Sequence, residues 1–291
     1  MIHKIKNLSR LKGNYLFIVL GFYFKKIIKL KTNQKENKIV NFYYTLVKNK
    51  YKIVSYNEKY VTIKSDFSDV QLSLRKFPSS DIDVFYQVFL NKEYQEVFTI
   101  AKKYFGKQKM ENILDLGGNI GLTSLFLLSE YPTSKIVILE PDTDNFETLK
   151  LNLLTNNNFQ NNVFPCNGGI WSKDTKLKIS SDFRDGLDWS YRVEESDTND
   201  GIDAYSIQSL CKKYNFNHID VLKIDVEGTE KILFDTNKAN LDFLSFTKII
   251  AIEIHEEICL KSDIYAIFEN YGFVFYEDGE LSFAYNSNLI D

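Results

Sequence analysis

Residues 113–121 read Ile-Leu-Asp-Leu-Gly-Gly-Asn-Ile-Gly, a short apolar strand running into a glycine-rich turn. A helical pattern follows through Leu122, Leu125, Phe126 and Leu128. Glycines in such a turn allow positive φ and let a ligand approach the backbone closely. The helix after it starts with N–H groups that lack intrahelical partners. A second strand at 135–139 ends in Glu140. A carboxylate at the tip of the neighbouring strand is suited to accept both hydroxyls of a ribose. Turn and acid together point to a nucleoside-containing cofactor. The spacing is Asp115-x-Gly117-x-Asn119-x-Gly121, and no frame through it gives the Gly-x-Gly-x-x-Gly of a dinucleotide site. Asp115 suits an ammonium group better than a phosphate.

Two more strand ends carry chemistry. Residues 219–224 lead into Asp225-Val226-Glu227-Gly228, and residues 249–252 into Glu253-Ile254-His255-Glu256-Glu257. The period of two turns Lys223 and Asp225 to one side, and likewise Glu253 and His255. A histidine and several carboxylates at adjacent strand ends can take a proton from a hydroxyl. They can also hold a divalent cation that lowers the pKa of that hydroxyl. Asp225 and His255 are therefore the expected catalytic pair, with metal dependence left open. His3, His218 and the three scattered cysteines (Cys166, Cys211, Cys259) read as structural residues.

These residues need a scaffold, and the pattern around them supplies one. Apolar runs at 113–116, 135–139, 163–166, 219–224 and 249–254 alternate with helical stretches at 142–152, 204–214, 228–234 and 262–271. Such alternation means an α/β fold with a mostly parallel sheet and helices on both faces. Runs at 273–276 and 281–285 close the chain as a hairpin. Upstream, residues 51–56, 60–65 and 70–74 alternate apolar and polar, as short antiparallel strands do. Ser79-Ser80-Asp81 offers an N-cap to a helix through Val84, Val88 and Phe89. Residues 32–39 read as a polar linker. The expected organisation is a basic and apolar segment with linker (1–38), a small α+β subdomain (39–108) and a cofactor domain (109–291). Residues 182–203 hold eight acids, Arg184, Arg192, Trp189 and Tyr191, and read as a long loop that could face a carbohydrate or simply solvent.

The chain has 291 residues and a net charge of −3, so no global field draws it to nucleic acid. Three cysteines without a Cys-x-x-Cys fit a reducing cytoplasm. Residues 1–31 stand apart, with eight basic residues and no acid around the apolar run 15–24. That run falls short of the about twenty residues a span needs. No small-x-small cleavage site follows it. Two readings remain: peripheral contact with an anionic membrane surface, or packing against the rest of the chain or a second copy.

Residues 113–121, Glu140-Pro141-Asp142, residues 222–228 and residues 252–255 together resemble the FkbM-type methyltransferases that use S-adenosylmethionine (SAM). The turn by itself resembles motif I of class I methyltransferases. Residues 74–75, 83–89 and 93–94 are similar to the entry segment of that family. The resemblance implies a Rossmann-like sheet of seven strands with an antiparallel terminal hairpin. It implies SAM as cofactor, held by Asp115, Gly117, Asn119, Gly121 and Glu140. It also implies O-methylation of a hydroxyl on a sugar, a glycan or a secondary metabolite. Gly118 stands where such motifs often carry alanine, read as a harmless change. Two other classes stay open, an NAD-dependent nucleotide-sugar dehydrogenase or epimerase and a non-catalytic nucleotide-binding module. The missing dinucleotide pattern counts against the first, and the polar strand ends against the second. No Asn/Asp-Pro-Pro-aromatic segment stands at the end of the fourth strand, as nucleic acid methylation would favour.

Overall fold

The computed structural model describes residues 7–106, 110–180, 192–196, 201–256 and 258–290. It divides into two compact units, residues 1–91 with 151–157, and residues 92–150 with 158–291.

The first unit opens with helices α1 (Asn14–Ile27) and α2 (Gln34–Lys48). Helix α2 corrects the linker expected at 32–39. Asn33 Oδ1 accepts from Glu36 N at 2.8 Å and Glu36 Oε2 accepts from Asn33 N at 3.1 Å, a reciprocal capping box that starts a helix in polar sequence. Tyr15 and Val19 of α1 are buried, and Tyr15 meets the Phe42 ring of α2 at 6.3 Å. Strands β1 (Tyr51–Tyr56), β2 (Tyr60–Ser65) and β3 (Gln71–Arg75) form an antiparallel sheet in that order. Helix α3 (Asp81–Phe85) follows, but Ser80 makes no side-chain cap. Asp81 is buried and instead binds Arg75, through its backbone N at 2.6 Å and its guanidinium at 2.8 Å.

The outer edge of β3 is closed by two asparagines. Asn152 accepts from Ser73 N at 2.7 Å and donates to Ser73 O at 3.1 Å. Asn156 does the same to Gln71, at 2.8 and 2.7 Å. Asn152 near the end of the helix Thr143–Thr155 and Asn156 just past it match alternate residues of an edge strand and satisfy backbone groups that would otherwise need water.

The second unit is built on seven strands. They are β4 (Asn112–Leu116), β5 (Lys135–Glu140), β6 (Val163–Asn167), β11 (Ile219–Ile224), β12 (Thr247–Glu253), β13 (Phe273–Asp278) and β14 (Leu281–Asn286). Their order is β13-β14-β12-β11-β4-β5-β6, parallel from β12 to β6 with the last two strands antiparallel. Every residue of β4 and β11 is buried, which explains their near-continuous apolar sequence. Leu114, Leu116, Leu222, Ile224, Ile250 and Ile252 sit at the centre of the core. The chain leaves β4 toward β5 on one side and returns to β11 on the other, so the strand order reverses at β4. Ligands of such sheets bind beyond the strand ends at that point.

A second sheet was not expected. Strands β7 (Gly169–Ile170), β8 (Thr175–Ser180), β9 (Arg192–Glu195) and β10 (Ile202–Tyr205) pair in the order β7-β10-β8-β9. Strand β10 takes Ala204 and Tyr205 from the expected helix, which begins at Ile207 as α7 (Ile207–Tyr214). Ser206 sets that boundary, its Oγ accepting from Ser209 N. The segment 182–203 is thus partly strand, and Arg184, Trp189 and Tyr191 lie outside the described residues. No helix among the described residues is long and apolar enough to cross a membrane.

Asn152→Ala should cost about 1–3 kcal/mol of stability, because both backbone groups of buried Ser73 lose their partners. Urea denaturation of the variant measures this. A midpoint equal to that of wild type would show that the edge needs no such cover.

Candidate active site

The glycine turn between β4 and helix α5 (Leu122–Glu130) is shaped by three left-handed residues, Gly117 (φ 80°), Asn119 (φ 47°) and Gly121 (φ 82°). A Cβ on Gly117 would overlap the carbonyl oxygen of Asp225, so the turn and the end of β11 touch through a missing side chain. A Cβ on Gly118 would overlap Ile138 Cγ2. Alanine at 118 would thus need the Ile138 side chain to move. Most amides of the turn are spent internally. Gly117 N and Gly118 N both donate to Leu139 O, and Gly121 N donates to Gly118 O. The turn consequently offers little to a pyrophosphate.

Glu140 ends β5 facing this turn and is buried. Its Oε2 accepts from Asn119 N at 2.7 Å and its Oε1 from Asp142 N at 2.9 Å. The carboxylate is thus held in place with one lone pair on each oxygen to spare. Burial pushes its pKa up to about 7, against the pull of those two N–H bonds.

Asp115 is not an open acid. It is fully buried, and Ser124 Oγ donates to its Oδ2 at 2.5 Å. Its Oδ1 pairs with Lys223 Nζ at 3.3 Å. Lys223 stands opposite Asp115 in the β4–β11 ladder and is itself buried. It donates to Leu116 O at 3.3 Å and to Gly117 O, and lies 3.5 Å from Asp225 Oδ2. Burial alone would lower its pKa, but Asp115 and Asp225 outweigh that and hold it above the usual lysine value. Tyr94, also buried here, is raised by burial. Sequence reasoning gave Lys223 a direction but no role. The signal was a lysine inside an otherwise apolar strand.

A second cluster forms around His255. Its Nδ1 lies 2.9 Å from Oε1 of fully buried Glu230, and its Nε2 lies 3.3 Å from Glu227 Oε2 and 3.9 Å from Glu253 Oε1. Hydrogen bonds to Glu227 and Glu230 push the imidazole pKa from 6.5 up to about 11, against burial. At neutral pH both ring nitrogens then carry hydrogen and donate hydrogen bonds to the carboxylates. Burial pushes Glu253 the other way, up to about 7, helped by the nearby charge of Asp225. Glu230 was missed because no strand periodicity reaches it. It comes from the short helix α8 (Glu230–Leu233). Among the described residues no three His, Cys, Asp or Glu side chains are arranged to hold a metal ion.

Turn, buried acid and strand-end charges thus converge at the switch point of the sheet. Residues 115–275, more than half of the chain, match the methyltransferase FkbM domain. The chain belongs to the FkbM methyltransferase family. A curated relative, Methyltransferase 1 of Beauveria bassiana (strain ARSEF 2860), is 26% identical over 138 residues, which cover 40% of this chain and 55% of that protein. The FkbM methyltransferase of Methylobacillus flagellatus KT is similar in structure, with 16% identity and a TM-score of 0.44 over 64% of this chain and 47% of that one. A putative caffeoyl-CoA O-methyltransferase of Staphylococcus aureus is 12% identical, with a TM-score of 0.37 over 72% of this chain and 93% of that one. The FkbM protein described here therefore spans about half the length of its curated relative and of the M. flagellatus enzyme.

The His255 pairing has a pH signature. Because the folded-state pKa is raised, the stability it adds is fully present below pH 6.5 and is lost as pH rises through about 11. The stability gap between wild type and His255→Gln should close over that window in urea titrations. A gap that widens with pH would mean that the ring is held neutral.

Proposed function

We propose that the protein is a SAM-dependent methyltransferase that methylates a hydroxyl, on a sugar, a glycan or a secondary metabolite, within a reducing cytoplasm. The single observation carrying the cofactor reading is the glycine turn with its amides spent and buried Glu140 at its rim. A ligand with a ribose and an ammonium but no phosphate suits that arrangement. When bound, SAM supplies an electrophilic methyl group on a sulfonium. Glu140 would hold the ribose hydroxyls. Gly117, Asn119 and Gly121 would shape the turn against the ligand. Asp115 would act through Lys223, fixing the charge beneath the turn.

A sugar hydroxyl is too weakly acidic to attack unaided, so a proton acceptor is needed close to it. His255 was the expected base, but its carboxylate partners keep it charged. The role passes in this proposal to Glu253, whose pKa near 7 suits a base at neutral pH. Asp225 stands beside it, and His255 serves as the cation that orients Glu227 and Glu253. Turnover measured with EDTA tells whether a divalent cation takes part.

Calorimetry should give SAM binding and none for NAD, with Glu140→Ala weakening SAM by about 1.5–3 kcal/mol. Binding of NAD in place of SAM would overturn the cofactor reading. Once a panel of glycan and metabolite hydroxyls has yielded an acceptor, turnover should rise with pH through about 7, as Glu253 loses its proton. Glu253→Gln should lower turnover by about 10²–10⁴-fold and leave SAM affinity nearly unchanged. Wild-type turnover in that variant would return the base role to Asp225.

A further inference from the structure

Helix α1 has two apolar faces, and only one is used. Tyr15 and Val19 are buried in the first unit, and Tyr23 Oη bonds Tyr44 Oη of α2 at 2.6 Å, which fixes the rotation of the helix. The other face carries Phe17, Leu20, Phe24 and Ile27, spaced three and four apart along one stripe. All four are exposed, Phe17 at 70%, Phe24 at 61% and Ile27 at 60%. Gly21 lies within the same stripe, with open space where its Cβ would be. Ile28 and Leu30 extend the exposed apolar surface past the end of the helix. A contiguous apolar surface of this kind marks an interaction site.

The charges beside it say what it meets. Lys26, Lys29 and Lys31 are exposed and in no ion pair with the described residues. Lys25 pairs with Glu36, and Arg10 with Asp66. Residues 1–31 hold no acid at all. A protein partner would need a groove lined by acids to match. An anionic bilayer offers apolar depth and negative surface together over any length of helix. Lysine stems can also lie along the apolar zone while their ammonium groups stay at the headgroups.

We propose that the outward face of α1 docks the protein onto anionic membrane surfaces, with Phe17, Leu20, Phe24 and Ile27 inserted and Lys29 and Lys31 at the headgroups. The helix lies in the interface and does not cross it. This docking does not depend on the identity of the cofactor.

The test is co-sedimentation of the full chain with phosphatidylcholine vesicles that contain about one-third phosphatidylserine, and with pure phosphatidylcholine. Wild type should bind the anionic vesicles and dissociate as salt is raised. Phe17→Ser/Phe24→Ser/Ile27→Ser should bind about tenfold more weakly or worse. Lys29→Glu/Lys31→Glu should lose about fivefold per lysine removed. Thermal unfolding of both variants should match wild type, since every altered side chain is exposed. Equal binding of wild type and the serine variant would overturn the proposal, as would equal binding to neutral and anionic vesicles. So would a wild-type dimer, dissociated by the serine substitutions, that ignores vesicles. That result would assign the face to a second copy.

Discussion

A single buried ammonium organises the catalytic end of the sheet. Lys223 Nζ lies among Asp115, Asp225 and the carbonyls of Leu116 and Gly117. Desolvating a charge costs several kcal/mol, so such an ion persists only where its partners surround it. Here they do, and the cost becomes a constraint. The lysine pulls the start of the glycine turn toward the end of β11 and holds two carboxylates apart by standing between them. Gly117 is obligatory for the same reason. The approach that lets its carbonyl meet the ammonium also brings Asp225 O where a side chain would be. Removing the ammonium would leave fully buried Asp115 with Ser124 as its only polar partner of those found here.

The second cluster shows the same logic with the signs exchanged. Glu230 is fully buried, and its Oε2 has no hydrogen-bond partner. A carboxylate in that position needs a cation, and His255 lies within reach of it. The imidazole is therefore committed to structural charge balance. In the proposed reaction, proton transfer would fall to the neighbouring Glu253, whose pKa burial and Asp225 raise. Two cations thus serve the carboxylates around them, one beneath the cofactor turn and one beside the proposed acceptor site. The distribution of charge, more than the type of any residue, divides the labour.

Much of this was legible in the chain. The central strands announce themselves as apolar runs because both of their faces are buried, and the turn residues carry their own φ requirements. What stayed hidden was set by pairing across the chain. The register that puts Lys223 opposite Asp115 cannot be read from either strand alone. The charge state of His255 depends on Glu230, which a helix delivers. The small sheet of β7 to β10 escaped because three of its strands have only two or four residues, too few for a periodic signal, although the six residues of β8 do alternate. Helix α2 was hidden by polar residues in its first turn, although the Asn33–Glu36 box was in plain view. The helix expected to start at Ala204 overran its own cap at Ser206.

Gly118 and Ile138 share one small volume. Strand β5 is parallel to β4, and the β-branch of Ile138 fills the space a methyl group at 118 would need. The two positions are therefore bound by mutual exclusion. A turn with alanine at 118 requires a residue at 138 without its Cγ2 in that place, which gives up the stiffness that β-branching lends a strand. A chain that keeps the branch in this rotamer has room only for glycine at 118. The motif residue thus records a choice made on the neighbouring strand. Seen this way, glycine at 118 answers to the packing of the sheet.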